Sequence, residues 1–178
     1  MGTIQDVKKL VNELIDTKFT IKTYFSSIEM SARDLGYSFE FDNTKNTFGR
    51  CFYVAKKIKL SLPLCSENLD KIHTNIKNTI LHELAHAFSV EVHGMRNGRG
   101  HGSNWKTIAR QIGCSAERCF KASEVNLPKS KYSLICNSCG YSSPRHRKIS
   151  STYACTDCCN KYNNGRFTRE YALEFVVN

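Results

Sequence analysis

Five consecutive residues, His82-Glu83-Leu84-Ala85-His86, combine two imidazoles four positions apart with a carboxylate beside the first. On a helix, residues four apart share a face about 6 Å apart along the axis, so both rings can reach one ion. Glu83 is then close enough to address a water on that ion without being a ligand. Zinc lowers the pKa of a bound water toward about 7, and a carboxylate can take its proton as the water attacks a carbonyl. That chemistry needs a third protein ligand and an open fourth position. The candidates are Glu91, His93, His101 and Glu117. On an unbroken helix His93 lies about 10 Å along the axis from His86, too far to share the ion, and reads as a helix-end residue beside Gly94. His101 sits in Gly100-His101-Gly102-Ser103-Asn104-Trp105, after a glycine-rich stretch that can fold back, and is the preferred third ligand.

A second set is Cys136-x-x-Cys139 and Cys155-x-x-Cys158, 15 residues apart. This is zinc-ribbon spacing, with two thiolates on each turn completing a closed tetrahedral, structural site. Cys159 adjoins the last of them and could stand in for it, although the C-x-x-C spacing favours Cys158. Cys51, Cys65, Cys114 and Cys119 have no matching partners and read as small core residues. Residues 1–10 contain no signal-type apolar stretch, so the nine cysteines point to metal ligation in a reducing, intracellular setting rather than to disulfides. Two zinc ions are expected, one catalytic and one structural.

Between the two cysteine pairs lie Arg145, Arg147 and Lys148, with Tyr141 and Tyr153 nearby. Cations can neutralise phosphates while aromatic rings stack on bases, so these three are candidate nucleic-acid-binding residues; His146 reads as part of the same face. The whole chain carries 26 Lys and Arg against 16 Asp and Glu, net +10. Residues 129–178 hold 8 of those cations and only 3 of the anions, more than twice the charge density of the rest. A polyanion, nucleic acid among the candidates, becomes an expected partner.

The elements that must position these groups can be read from periodicity. Apolar residues at 4, 7, 10, 11, 14 and 15 predict a helix over 4–15, and a second helix is expected over 22–35, ended by Gly36. Residues 37–60 read as two or three short antiparallel strands. A long helix over 69–92 carries the histidine pair, a loop over 93–102 holds four glycines, and a helix over 103–112 closes on Gly113. Pro128 and the polar stretch after it mark a boundary between a domain at 1–128 and a module at 129–178. No apolar run approaches the roughly 18 residues of a membrane span, and Asp6 stands where a myristoylation signal at Gly2 would need Ser or Thr. The fold class is α+β.

His82-Glu83-x-x-His86, followed after 14 residues by His101-Gly102-x-x-Trp105, resembles the SprT-like family of zinc metallopeptidases. Upstream, Ile58-Lys59-Leu60-Ser61-x-Pro63-Leu64 resembles the strand and turn that precede that family's active-site helix, and a four-cysteine ribbon is typical of its bacterial and viral-type members. The resemblance covers roughly residues 37–160. It implies a minimal zincin-type metallopeptidase domain, with helices packed on a small antiparallel sheet, followed by a four-cysteine zinc β-ribbon. It also implies zinc held by His82, His86 and His101, Glu83 as general base, and DNA-stimulated cleavage of DNA-bound or DNA-crosslinked proteins. A monomer is the working expectation. Two other readings stay open: a DNA-independent peptidase with a structural ribbon, and a non-catalytic nucleic-acid-binding scaffold, which would have no need of Glu83.

Overall fold

Thr3 and Asp6 close a reciprocal capping box, the Thr3 hydroxyl accepting from the Asp6 N–H at 3.2 Å and the Asp6 carboxylate from the Thr3 N–H at 2.8 Å. It starts helix α1 (Ile4–Asp16), whose stripe Val7, Val11 and Ile15 is fully buried. The computed structural model describes residues 2–117 and 125–178, which fall into two units, Met1–Pro128 and Lys129–Asn178.

The expected helix over 22–35 is absent. In its place a hairpin pairs β1 (Phe19–Lys22) with β2 (Ser27–Met30), Ile21 opposite Ile28. The turn is fixed by Thr23, whose N–H donates to the Ser26 carbonyl at 2.7 Å and whose hydroxyl accepts from the Ser26 N–H at 3.0 Å. Such local side-chain bonds, together with branched Thr20 and Ile21, outweigh the helical spacing. Gly36 ends a turn instead, at φ +83°.

Strands β3 (Ser38–Asp42), β4 (Gly49–Phe52) and β5 (Lys57–Ser61) form one sheet in the order β3-β5-β4. It is mixed rather than antiparallel as expected: β4 runs antiparallel to β5, but β3 runs parallel to it. The most buried strand, with Ile58 and Leu60 fully buried, takes the centre. The connection from β3 to β4 therefore crosses the end of β5, where the Ser61 N–H donates to the Phe48 carbonyl at 2.8 Å and the Ser61 hydroxyl to the Thr44 carbonyl. That crossover leaves β4 at an edge of the sheet among the described residues.

Ser61 also caps α2 (Leu62–Ser66), accepting from the Leu64 N–H. The expected helix over 69–92 starts later and runs further: a 3₁₀ turn (Leu69–Lys71) and a π turn (Ile72–Ile76) lead into α3 (Lys77–Asn97), interrupted at Gly94. Helix α4 (Ser103–Gln111) follows and buries Trp105, Ile108 and Ala109. Helices α1, α3 and α4, the hairpin and the sheet share one core, with Phe88 of α3 against Phe19 at 5.7 Å. Cys65 and Cys114 are buried in it and Cys51 packs against it, whereas Cys119 lies outside the described residues.

In the second unit β6 (Tyr132–Ile135) lies between β7 (Ser142–Arg145) and β8 (Glu174–Val177), all antiparallel. A short helix α5 (Thr156–Tyr162), unanticipated from periodicity, begins inside the second cysteine pair. No described helix is long and apolar enough to cross a membrane.

Candidate active site and metal centres

Residues Ile80, Leu81, Leu84, Ala85, Ala87 and Phe88 anchor α3 in the core and so fix the direction of His82, Glu83 and His86. Gly94, at φ +73°, breaks the helix directly after His93. The chain then presses back along α3: a Cβ on Gly98 would fall 2.2 Å from the Ser89 carbonyl oxygen, so only glycine fits there. This return delivers His101. Its Nε2 lies 2.9 Å from that of His82 and 3.2 Å from that of His86. Trp105, 1% exposed, underlies all three rings at centroid distances of 4.7, 5.3 and 4.6 Å.

Three imidazole nitrogens this close fit a cation better than they fit each other. Tetrahedral zinc bonds of about 2.0–2.1 Å would set the nitrogens about 3.3 Å apart. The ring of His82 donates to the Glu117 backbone carbonyl. Because its Nε2 faces His101, the donor is Nδ1, and the Nε2 lone pair is left for an ion. The Nδ1 of His86 lies 3.4 Å from the Tyr53 hydroxyl. Burial, then the neighbouring rings, pulls His82 down to about 4 and His86 to about 3, so both rings are neutral and able to ligate at ordinary pH. The other candidate ligands are elsewhere engaged: Glu91 pairs with Lys56, His93 stands outside the triad, and Glu117 offers a carbonyl rather than its carboxylate.

Glu83 is 6% exposed. A Cβ on Gly49 would lie 2.8 Å from Glu83 Cγ and 2.9 Å from its Oε1, so the bare glycine backbone of β4 makes room for this carboxylate. Burial pushes the Glu83 carboxyl up to about 8, against the opposing pull of the Cys51 N–H and the Arg50 guanidinium. Glu83 and the three histidines line a cavity of about 980 Å³, with β4 along one wall.

A family model for the SprT-like family matches residues 14–129. The chain belongs to the SprT-like family. That family is associated with metallopeptidase activity. Comparison with curated proteins gives no match, and neither does comparison with solved structures. The matched stretch of this SprT-like chain contains the histidine triad, Glu83 and Gly49.

The second unit of this SprT-like protein places Cys136, Cys139, Cys155 and Cys158 with all four sulfurs within 4.8 Å of one another. Cys159 is not in that group. The first pair is shaped by a turn in which the Gly140 N–H donates to the Cys136 carbonyl at 2.8 Å, with Gly140 at φ +71°. Burial opposes ionisation of Cys136, but the N–H groups of Cys139 and Ser138 outweigh it and hold the thiol at about 7. Both clusters can hold metal ions, and their donor sets, three imidazoles and four thiols, suit zinc.

Arg145 lines a cavity of about 240 Å³ with Tyr141 and Tyr153. Arg147 and Lys148 are exposed on the following loop and His146 is half-buried; none of the three lines that cavity. The sequence reading overlooked Gly49, Tyr53 and the Glu117 carbonyl. Of these only Gly49 carried a signal, an isolated glycine within a strand pattern.

Proposed function

We propose that this chain is a zinc endopeptidase of zincin type, brought by its ribbon to DNA-bound or DNA-crosslinked proteins. The observation that carries the reading is the meeting of three histidine Nε2 atoms and the Glu83 carboxylate in one cavity walled by β4, an edge strand among the described residues. A zinc ion on His82, His86 and His101 would supply Lewis acidity to a water and to the scissile carbonyl. Glu83 acts as general base, taking the proton of the attacking water and handing it to the departing amine. Apart from the Cys51 N–H that Glu83 engages, the β4 edge offers backbone groups that an extended substrate can join as a further strand. The Tyr53 hydroxyl holds His86 from behind. In the second unit, zinc on the four cysteines is structural. Tyr141 and Tyr153, 46% and 49% exposed, present faces on which bases can stack, and Arg145, Arg147 and Lys148 supply phosphate contacts. Thiols this close and unbridged suit a reducing, intracellular setting.

The test is cleavage of a DNA-binding protein by wild type and Glu83→Gln, with and without DNA. Expected are DNA-stimulated cleavage by wild type and none by the zinc-loaded variant. Cleavage surviving in Glu83→Gln would sink the mechanism. Wild-type activity indifferent both to DNA and to charge reversal at Arg145, Arg147 and Lys148 would leave a DNA-independent peptidase.

A further inference from the structure

Asn78 lies on α3 one turn before His82, half-buried in the wall of the catalytic cavity and outside every motif described above. Its side chain makes a two-point bond to a residue 37 positions away. Asn78 Oδ1 accepts from the Ser115 N–H at 2.9 Å, and Asn78 Nδ2 donates to the Ser115 hydroxyl at 3.0 Å. The Cys114 thiol lies 3.9 Å from the Asn78 carbonyl, so consecutive residues dock on the same turn of the helix. The next residue, Ala116, is held at φ +57°, a left-handed conformation that a side-chain-bearing residue keeps only where its surroundings impose it. Directly after it comes Glu117, whose carbonyl accepts from the His82 ring.

The geometry points to Asn78 as a positioning residue for the metal centre: by clamping Ser115 it fixes the Glu117 carbonyl, which selects the His82 tautomer with Nδ1 protonated and Nε2 free to ligate. The spacing supports this division of labour. Asn78 and His82 share one face of α3, so the returning segment 114–117 lies along that face and meets each in turn. A loop carbonyl left to itself would hold the imidazole loosely, and loss of such an outer partner typically costs 10–100-fold in metal affinity.

The inference rests on the reading of His82 as a zinc ligand, and two readouts on the full-length protein keep the two apart. The first is the pair of ring nitrogen-15 shifts of His82 in metal-free protein, which report the tautomer directly. The second is the dissociation constant of the more weakly held zinc, followed by chelator competition. Asn78→Ala is expected to mix the His82 tautomers and to weaken zinc about 10-fold. Asn78→Asp, whose carboxylate can accept from both the Ser115 N–H and its hydroxyl, is expected to restore both readouts. Ser115→Ala removes one of the two bonds and should give a smaller shift of the same sign, an arm that decides the matter if Asn78→Ala does not fold. A single Nδ1-protonated tautomer unchanged in Asn78→Ala, or in Ser115→Ala where the former is unfolded, overturns the positioning role. Wild-type protein that shows the tautomer but whose weaker zinc is indifferent to His101→Ala would overturn the triad as a zinc site, leaving the clamp intact.

Discussion

The histidine centre is set into a unit that already has a core, whereas the cysteine centre is itself the core of its unit. Around the histidines, Val7, Ile15, Ile58, Ile80, Phe88 and Trp105 belong to one continuous buried cluster, and the rings project from it into a cavity with a carboxylate alongside. Around the cysteines, the buried cluster is Cys136, Cys155 and Cys158 with only Tyr171 and Leu173 packed against it. A unit of about 50 residues with so little apolar packing depends on a staple. On the proposed function the contrast would separate two uses of a metal: an ion on the histidines would be dispensable for folding and required for chemistry, an ion on the cysteines the reverse.

The strongest way to break that contrast is to remove the cysteine site. Cys158→Ser, or chelation, is expected to unfold residues 129–178 while the first unit stays folded, because structural zinc is worth about 10–16 kcal/mol in comparable modules. Hydrogen exchange by segment checks this; protection retained over 129–178 would mean the ribbon has a core of its own. In the other unit, His101→Ala should lower the zinc content by one ion per chain and abolish cleavage, with the melting of residues 1–128 nearly unchanged. A collapse of that unit would erase the distinction.

A finer test moves Glu83 without touching any ligand. Gly49→Ala places a methyl against Glu83 Cγ and Oε1, and a misplacement of about 1 Å at a catalytic group can cost about 100-fold in rate. Zinc content should not change. Activity within twofold of wild type would show that the carboxylate has room to spare.

The smallest expected effect is a pH dependence of the metal-free first unit. The folded-state value of Glu83 is raised from 4.5 to about 8 by burial, so the stability this group contributes is present at low pH and lost as pH climbs toward 8. His82 and His86 are depressed below 6.5, so their contribution is present above 6.5 and lost as pH falls. Denaturant titrations of metal-free protein should therefore find a maximum near pH 6.5. Between pH 6.5 and 8.5 wild type should lose on the order of 2 kcal/mol that Glu83→Gln does not. Parallel curves for the two proteins would refute the assignment.

The sequence was most legible where a short local pattern coincided with the chemistry. The spacing from 82 to 86 needed only a helix, and apolar neighbours supplied it. The two C-x-x-C turns needed only their own residues. It was least legible where local preferences competed. Residues 22–35 satisfied a helical spacing, yet the Thr23 hydroxyl could bond both the carbonyl and the N–H of Ser26 and made a hairpin. The strand character of residues 37–60 was recognisable, though not their number. Their mixed order was not, because the parallel pairing of β3 follows from burying β5 at the centre and tying Ser61 to the crossover.

Residue identities and spacings alone thus determined the two donor sets, the helix that carries His82, Glu83 and His86, and the crowding of positive charge beyond residue 128. Tertiary structure decided the surroundings of those groups: Gly49 making space for Glu83, the break at Gly94 returning His101, and Asn78 clamping Ser115 two residues before the carbonyl behind His82. The physical reason is range. Ligand spacing on one turn is set by a few backbone angles, while the groups that brace those side chains come from residues tens of positions apart, whose contacts depend on how the whole core packs.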